Sequence, residues 1–392
     1  MGDAARERDE RETPRRAHAG CAGHDVERAM AAGEMSLAER RALTNDVLQR
    51  CTTLGFAAAG IATLEPSEWA AELRAWLDEG KHGEMGWLAD TVAKRIEPTA
   101  VLPGARYAVM VADAYATGAD AADEVKHASR GRVARYARGR DYHRVVKARL
   151  HALSDELQEQ YPGHAFRSFV DTAPVPEREL AMRAGLGWVG KHTLLIRRGV
   201  GSWFLLGGVM TSLPLVVEDA RSTDHCGGCT RCIDACPTDA ITPYSVDASR
   251  CVSYLTIEQS GPIDAELRAG VGDWLAGCDV CQEVCPFNRP TAAVGAINPA
   301  YAPRRTGFDL VDVLGWTEMD RRAAFASSSL KRVSLEQMKR NALVCLANAA
   351  READGDERRR MLRAIEDVRW RAGESDELRR LASELSDELA GR

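Results

Sequence analysis

The stretch Cys226-Gly-Gly-Cys229-Thr-Arg-Cys232-Ile-Asp-Ala-Cys236-Pro237 places four cysteines at spacings of two, two and three residues. Three thiolates separated by two residues each can surround one iron–sulfur cubane. The fourth cysteine lies past a change in chain direction and reaches a second cluster. Proline directly after it restricts the backbone there. The motif therefore predicts two [4Fe–4S] clusters in a ferredoxin-like segment.

A second cysteine group, Cys278-Asp-Val-Cys281-Gln-Glu-Val-Cys285-Pro286, complements the first but has only three clustered cysteines. Its fourth ligand must come from elsewhere in the chain, and Cys251 is the candidate. The predicted ligands of one cluster are Cys226, Cys229, Cys232 and Cys285, and those of the other are Cys236, Cys251, Cys278 and Cys281.

Two zinc sites are the alternative to two clusters. Tetrahedral four-cysteine zinc usually binds two separated Cys-x2-Cys pairs. The overlapping triple of cysteines and the two Cys-Pro endings favour clusters instead. Three further cysteines lie outside the motif. Cys345 and Cys51 are predicted core residues, and Cys21 lies in the N-terminal tail.

The chain on either side of the cysteines divides into further predicted regions. Residues 1–36 are polar and are predicted to form a disordered tail. Residues 37–215 have the pattern of one α/β or α+β domain, which precedes the ferredoxin-like domain at 216–300. Residues 301–392 contain short amphipathic helices in succession, which is typical of a helical-repeat region. The predicted fold class is α+β.

Local patterns predict the helices of the first domain. Ser36 with Glu39 has the spacing of a capping box at a helix start. Apolar residues recur at helical spacing around 69–77, and Gly80 can end that helix. The stretch from Asp141 to Gln160 is predicted to be a longer helix with one apolar face.

Strands are predicted from short β-branched and aromatic runs in the same domain. Phe166 to Val170 is predicted to be a strand that delivers Asp171 at its end. Thr193–Ile196 and Trp203–Leu206 are predicted to pair with each other as a hairpin, because glycines lie between them. These predictions place Asp171 where a strand meets a following helix.

Composition excludes several classes of protein. The 392 residues carry a net charge of -6, so there is no general attraction to nucleic acid, although a local basic face could still bind it. No run of about 18 apolar residues predicts a membrane span. The N-terminus lacks the apolar core of a secretory signal. We therefore expect a cytoplasmic protein, in which eleven cysteines indicate metal binding rather than disulfides.

Two clusters alone would suit an electron carrier, but a carrier does not need the large domain at 37–215. That domain should hold whatever receives the electrons. Its segment Asp171-Thr-Ala-Pro-Val-Pro-Glu-Arg-Glu-Leu-Ala-Met-Arg-Ala-Gly-Leu-Gly-Trp-Val-Gly-Lys-His-Thr-Leu-Leu-Ile196, followed by the double cluster motif, resembles the epoxyqueuosine reductases. These are cobalamin-dependent enzymes that complete queuosine in tRNA, and they are related to the reductive dehalogenases.

The resemblance extends over roughly residues 38–350. Further matching stretches are Lys94-Arg95 before Pro98, Arg135-Tyr136-Ala137-Arg138-Gly139 and Asp141-Tyr142-His143. The resemblance implies a cobalamin held between the first domain and the cluster segment, with electrons passing from the nearer cluster to the cobalt. The chain has no Asp-x-His-x-x-Gly motif, so no histidine is expected as the lower ligand of cobalt.

The resemblance also implies site residues. The expected cofactor-binding residues are Arg95, Arg135, Tyr136, Asp171, His192, Thr193, Leu195, Leu206 and Asp279. His192 departs from the asparagine that is common at this position in the family, but both side chains can donate a hydrogen bond. His143 and Arg178 are expected on the substrate side. His143 could equally be an ordinary histidine on a helix face.

Asp171 matches the acid position of the family. Oxygen that leaves the epoxide as water needs a proton, and a carboxyl can supply it near neutral pH only if burial raises its pKa. The alternative is a turn or N-cap aspartate, since prolines follow closely.

The C-terminal region offers a candidate RNA-binding surface. Phosphate contacts from basic residues would position an anticodon stem-loop. The alternative is an ordinary charged surface on helical repeats. The stretch Lys339-Arg-Asn-Ala-Leu resembles the HEAT-like repeat of longer family members. The basic residues are Arg304, Arg305, Lys331, Arg332, Lys339 and Arg340.

The leading hypothesis is an oxidoreductase that reduces epoxyqueuosine in tRNA. One alternative is a cobalamin-dependent reductase of small molecules, such as a dehalogenase, and another is a non-catalytic iron–sulfur electron carrier. Respiratory dehalogenases usually carry a twin-arginine signal, and Arg15-Arg16 is not followed by the apolar stretch that such a signal needs. The expected partners are the tRNA anticodon stem-loop and an electron donor such as a flavodoxin or ferredoxin. We expect a monomer.

Overall fold

The protein is described by a computed structural model. It describes residues 35–116, 129–218, 221–289 and 297–391. The predicted tail lies outside these ranges except for its last two residues, and Cys21 lies outside them as well. Within the described ranges, no helix is long and apolar enough to cross a membrane.

A four-stranded sheet forms the centre of the first domain. Its strand order is β1-β2-β7-β4, and each neighbouring pair is antiparallel. The mixture of helices with an antiparallel sheet confirms the α+β prediction, whereas the α/β alternative for this domain is wrong. The strands are β1 Ala58–Thr63, β2 Tyr107–Ala114, β4 Phe166–Phe169 and β7 Phe204–Thr211.

Helices cover both faces of the sheet, and β2 is buried on both sides. Side chains of a strand alternate between faces, so Val109 packs against α1 (Leu37–Thr53) and α5 (Tyr142–Gln160). Met110 points the other way, into the core that contains α6 (Glu177–Arg183). This arrangement brings the start of α5, the end of β4 and the start of α6 to one region.

The helix predictions for this domain are confirmed. Ser36 and Glu39 form the capping box of α1, and α2 (Ala70–Asp78) ends just before Gly80, whose φ is 69°. Asp141 caps α5 by accepting a hydrogen bond from the backbone N–H of His143. Two short helices, α3 Trp87–Asp90 and α4 Val92–Ile96, lie between α2 and β2.

The predicted hairpin between β6 and β7 is wrong. Instead, β6 (Leu195–Ile196) pairs with β5 (Trp188–Val189), while β7 pairs with β2 and β4. Gly187 allows the close approach of β5 to β6, because a Cβ there would lie 2.1 Å from the carbonyl oxygen of Ile196. A pairing that depends on such a contact cannot be read from β propensity alone.

The cysteine-rich segment consists of short elements joined by tight turns. Its helices are α7 Arg231–Asp234, α8 Val252–Ile257, α9 Ala265–Val271 and α10 Val280–Glu283. Its strands are β8 Ile241–Thr242, β9 Ser245–Val246 and β10 Trp274–Ala276. The C-terminal helices are α11 Leu310–Leu314, α12 Glu318–Ala324, α13 Leu335–Glu352, α14 Gly355–Trp370 and α15 Asp376–Leu389.

One hydrophobic core joins the cysteine-rich segment to the C-terminal helices. A three-stranded sheet runs through it in the order β10-β3-β11, with β3 at Arg130–Val133 and β11 at Gly307–Asp309. Each predicted domain thus contributes one strand to this sheet. The boundaries at 37–215, 216–300 and 301–392 remain predictions, and the core crosses them.

Two of the basic residues expected on an RNA-facing surface are buried in this core. Lys339 forms an ion pair with Glu374 at 2.6 Å. Arg340 is 2% exposed and donates to the carbonyl oxygens of Leu255, at 2.5 Å, and Gln259, at 2.8 Å. The expectation that these two residues contact RNA is wrong. The ammonium group of Lys339 and the guanidinium group of Arg340 are already bound by partners within the protein.

Arg340→Ala is expected to lower the free energy of unfolding by about 3 kcal/mol. The variant leaves buried carbonyl groups without their donors and removes a large buried side chain. Denaturant unfolding followed by circular dichroism measures the change. Arg322→Ala is the matched control, since that side chain is 75% exposed and its ion pair with Glu318 lies on the surface. Surface pairs contribute about 0–1 kcal/mol, so equal losses in the two variants would contradict the prediction.

Candidate active site

Asp171 lies two residues after the end of β4 and adopts a backbone conformation that few residues other than glycine adopt. Its φ is 50°, in the left-handed region. Its backbone N–H donates to the Glu177 carboxyl at 2.5 Å, which holds the turn between β4 and α6 in place. The Asp171 side chain is 51% exposed. The carboxyl group is therefore fixed by its backbone and remains accessible to a ligand.

His143 connects Asp171 to the start of α5. Its Nε2 lies 2.8 Å from Oδ2 of Asp171, and its Nδ1 lies 2.8 Å from Oδ1 of Asp141. Asp141 also accepts the backbone N–H of His143 at 3.1 Å as the cap of the helix. The imidazole is thus held between two carboxyl groups, and the expectation that His143 lies on an unrelated helix face is not met.

The two carboxyl groups decide where the proton lies. Burial would lower the pKa of His143, but its hydrogen bonds to Asp171 and Asp141 outweigh burial and raise that pKa above its ordinary value. Burial would raise the pKa of Asp171, but the hydrogen bond and positive charge of His143 outweigh it and lower that pKa. The condition that burial raise the pKa of Asp171 is therefore not met. Both shifts favour the form in which the proton is on the imidazole and the Asp171 carboxyl is ionised.

Glu177 is a titratable residue that the sequence analysis did not single out. Burial, followed by the negative charge of Asp171, raises the pKa of Glu177 to about 8, despite the N–H that it accepts. The positive charges of Arg178 and Arg95 act on it in the opposite direction. The sequence signal that could have identified Glu177 was its position in the first turn of α6, six residues after Asp171.

Arg178 is close enough to Asp171 to interact with it electrostatically, and His192 is close to Arg178. Arg178 donates to the carbonyl oxygen of Thr193, at 3.1 Å, and to its hydroxyl, at 3.2 Å. His192 Nδ1 accepts the backbone N–H of Leu194 at 3.2 Å. Burial, with the charge of Arg178, lowers the pKa of His192 to about 4, so this imidazole is neutral. Its Nε2 then carries the hydrogen, and that buried donor has no partner.

Arg135 presents further buried donors. The residue is 4% exposed, and its guanidinium lies 4.6 Å from the centre of the Trp203 ring. One nitrogen binds Glu283 at 3.1 Å, whereas Nε and Nη1 have no partner. Its backbone N–H donates to Asp279 at 2.7 Å, a buried carboxyl whose pKa burial raises to about 6. Buried donors without acceptors are costly, so these groups indicate a binding site for a polar ligand.

The remaining expected cofactor residues lie around the same region. Arg95 is placed over the ring of Trp87 at 5.2 Å, and its charge acts on Asp171 and Glu177. The Tyr136 ring packs edge-on against Tyr142, with centroids 6.0 Å apart. Leu195 and Leu206 pack in the core that also contains α6.

The eight motif cysteines fall into two groups in space. Burial, followed by neighbouring Cys226 and Cys232, raises the pKa of Cys285 to about 11. Burial, followed by neighbouring Cys251 and other charges, raises the pKa of Cys278. All ten cysteines in the described ranges are free thiols. Over the same ranges, no three potential ligands lie close enough together to hold a single metal ion.

The group that contains Cys278 and Cys281 lies near Arg178, and the group that contains Cys226 and Cys229 lies next to an exposed loop. The charge of Cys281 acts on Arg178, which contacts Thr193. In the first group, the loop around Gly227 is exposed, and Lys191 donates to the carbonyl oxygens of Gly227, at 2.6 Å, and Cys229, at 3.0 Å. Cys281 is thus the motif cysteine whose proximity to Arg178 connects the cysteine groups with the Asp171 region.

Comparisons with known proteins match both regions. Residues 225–288 match a family model described as a 4Fe-4S double cluster binding domain. Residues 95–172 match one described as Epoxyqueuosine reductase QueG, DUF1730. The segment at 225–288 is therefore a double-cluster domain, which confirms the prediction of two iron–sulfur clusters.

Whole-chain relatives extend this result. The chain is 41% identical over 329 residues to an epoxyqueuosine reductase of Xanthomonas campestris pv. campestris, covering 82% of this chain and 92% of that protein. It is 40% identical over 300 residues to one of Pseudomonas aeruginosa, covering 76% and 82%. A crystal structure of epoxyqueuosine reductase with an epoxyqueuosine-modified tRNA-Tyr stem loop gives a TM-score of 0.76 at 26% identity, covering 89% of this chain and 90% of that one. Since relatives of this identity span most of the sequence, the chain belongs to the epoxyqueuosine reductase family.

Proposed function

We propose that this oxidoreductase reduces the epoxide of epoxyqueuosine in tRNA to the alkene of queuosine, using two [4Fe–4S] clusters and a cobalamin. The observation that carries the proposal is His143, whose pKa is raised, held 2.8 Å from Asp171 beside buried donors that have no partner. This arrangement provides both a proton and a site for a polar cofactor. A solved relative in complex with a modified stem loop supports tRNA as the substrate.

The cluster ligands follow from the spacing of the cysteines and their two groups in space. The proposed sets are Cys226, Cys229, Cys232 and Cys285 for one cluster and Cys236, Cys251, Cys278 and Cys281 for the other. The first set lies toward the exposed loop at Gly227, so electrons from a flavodoxin- or ferredoxin-like donor would enter there. The second set, near Arg178, would pass them to the reaction site.

A corrinoid fits the donors around Asp171. Its amide and phosphate oxygens are acceptors, and the unpartnered groups of Arg135 and His192 are donors. Arg95, Tyr136, Thr193, Leu195, Leu206 and Asp279 complete the proposed cofactor-binding set. Bound cobalamin supplies a reducible metal centre that activates the epoxide. The protein holds this group and delivers electrons and protons to it.

The acid function belongs to Asp171 and His143 together. Asp171 is accessible and its pKa is lowered, whereas the pKa of His143 is raised, so the proton shared by the pair favours Nε2 of His143 over Oδ2 of Asp171. A proton passed from Nε2 to Oδ2 lets Asp171 protonate the oxygen that leaves the ring. Arg178, close to Asp171, is the proposed second substrate-side residue.

The tRNA would approach the exposed basic side chains of the C-terminal region. Lys331 and Arg332 are 56% and 54% exposed, and Arg332 acts on Asp171 through its charge. These side chains are placed to contact backbone phosphates next to the modified nucleoside. The HEAT-like character of this region, the monomeric state and the cytoplasmic location remain predictions.

His192→Ala is expected to weaken cobalamin binding by about tenfold, because the cofactor loses one buried hydrogen bond. His192→Asn keeps a donor and is expected to bind within about threefold of the original protein. The affinities of both variants are measured by titrating cobalamin into anaerobic protein that carries the clusters but no cobalamin. The corrinoid absorbance reports binding. His151→Ala is the control, since that histidine is exposed on α5. Equal affinity of the His192→Ala variant would contradict the assignment.

The proposed function is tested by anaerobic incubation of the reconstituted protein with cobalamin, a strong reductant and epoxyqueuosine-containing tRNA. Nucleosides are then read by mass spectrometry. We expect the modified base to lose the mass of one oxygen, and only when cobalamin is present. No conversion by protein that carries both clusters and cobalamin would refute tRNA as the substrate and direct attention to small molecules.

A further inference from the structure

The acid pair of the proposed reaction depends on a residue outside the substrate region. Asp171 can protonate the leaving oxygen only after His143 has passed it a proton. The position of that proton therefore depends on everything that stabilises the imidazolium form of His143. The inference that follows rests on the proposed function for its role in the reaction, but its geometry does not.

Asp141 is the second anion that contacts His143. Its Oδ1 lies 2.8 Å from Nδ1, on the side of the ring opposite Asp171. Its side chain is 6% exposed, so water screens this contact only weakly. In a serine–histidine–aspartate triad, a buried carboxylate in this position orients the ring and stabilises its cation. At the start of α5, Asp141 takes the place of the triad aspartate and His143 that of the triad histidine. Asp171 is here the group that receives the proton from the ring.

The other oxygen of Asp141 faces the C-terminal region. Oδ2 lies 3.8 Å from Nζ of Lys331, and the backbone N–H of Asp141 donates to the carbonyl oxygen of Ser327 at 2.7 Å. The turn that contains these residues also contacts Ala137 through the Ser328 hydroxyl. A segment far along the chain therefore places a positive charge next to the anion that supports His143.

We propose that Asp141 is a positioning residue that keeps His143 protonated for Asp171, and that Lys331 opposes it from the C-terminal region. Asp141 attracts the imidazolium, while Lys331 partly neutralises Asp141. The protonation state of His143 therefore depends on the balance between the charges of Asp141 and Lys331. Because Lys331 is also exposed, the same residue connects the acid to the surface proposed for tRNA.

Other charged and titratable groups interact with the His143–Asp171 pair or with each other around it. They are unchanged in the variants that test the proposal. They lie on four different parts of the chain. These groups are Tyr136, Tyr142, Arg95, Glu177, Arg178 and Arg332.

Two substitutions are expected to shift the protonation of His143 in opposite directions. Asp141→Asn keeps the helix cap, since asparagine caps as well as aspartate, but removes the anion and should lower the pKa of His143 by about 1 unit. Lys331→Gln removes the opposing positive charge and should raise the pKa of His143. Histidine hydrogen–deuterium exchange, read by mass spectrometry on the holoprotein without tRNA, measures this pKa. Arg322→Gln, on the exposed face of α12, should leave it unchanged.

The conversion of tRNA provides the second measurement. At saturating tRNA, the alkaline limb of the pH–rate profile should move to lower pH in Asp141→Asn, with about a tenfold loss of rate above the limb, and to higher pH in Lys331→Gln. A purely structural role for Asp141 would lower the rate equally at every pH. An unchanged pKa of His143 in Asp141→Asn, or shifts of the same sign in both variants, would overturn the proposal. Failure of the unsubstituted protein to convert tRNA refutes the proposed function alone, since the exchange measurement needs no substrate.

Discussion

Cys281→Ser is expected to abolish the conversion of epoxyqueuosine, because it removes a proposed ligand of the cluster nearest Asp171. Cys281 is half-buried beside Cys278 and Cys251, and it lies near Arg178. Serine is a poor ligand for a cubane that is held by thiolates. Without this cluster, electrons that enter at the exposed first cluster have no carrier to take them to the reaction site.

Iron analysis separates this effect from general misfolding. The unsubstituted protein should contain about eight irons per chain and the variant about four. Cys51→Ala is the matched control, because Cys51 is also a free thiol but lies on α1, outside both groups. The control should keep its full iron content and its activity. Retention of about eight irons by Cys281→Ser would remove Cys281 from the ligand set.

Asp171→Asn is expected to lower the rate of conversion by about 10²- to 10⁴-fold, the range typical for loss of a general acid. The amide keeps the shape of the side chain, but it cannot take up the proton of His143 and pass it on. The cation on His143 also loses an anionic partner, so the pKa of His143 should fall. Single-turnover conversion under anaerobic conditions, at saturating cobalamin and tRNA, measures the rate.

The control for this substitution is Asp155→Asn, an exposed carboxylate on the same long helix as His143. It should leave the rate unchanged. Iron content and cobalamin absorbance should be similar in both variants, which shows that the cofactors remain in place. A rate for Asp171→Asn within a few fold of the unsubstituted protein would exclude Asp171 as the acid and leave Glu177, whose pKa is raised to about 8, as the next candidate.

The His143–Asp171 pair makes the stability of the fold depend on pH. The folded protein raises the pKa of His143, so this contribution to stability is fully present below the ordinary histidine pKa and is lost as the pH rises through the raised value. It also lowers the pKa of Asp171, so that contribution is present above the ordinary aspartate pKa and is lost as the pH falls through the lowered value. The pair therefore stabilises the fold most at mildly acidic pH.

Local sequence patterns predicted the parts of this protein whose cause is local. Thiolate spacing indicated a double-cluster domain, because three cysteines at spacings of two residues can bind one cubane while the next cysteine reaches a second. Periodicity and capping residues located α1, α5 and the C-terminal helices, since these signals act over three to four residues. The stretch from Asp171 to Ile196 was long enough to indicate the family before any geometry was known.

Tertiary structure alone decided the pairing of β6 with β5, the burial of Lys339 and Arg340, and the position of the proton. Each depends on contacts between residues that are distant in the chain. Sequence reasoning made the acid role of Asp171 depend on a pKa raised by burial, because the sequence did not reveal the histidine that contacts this carboxyl. The structure places a histidine 2.8 Å from that carboxyl, and the energy of a charged hydrogen bond at that distance outweighs the cost of burial.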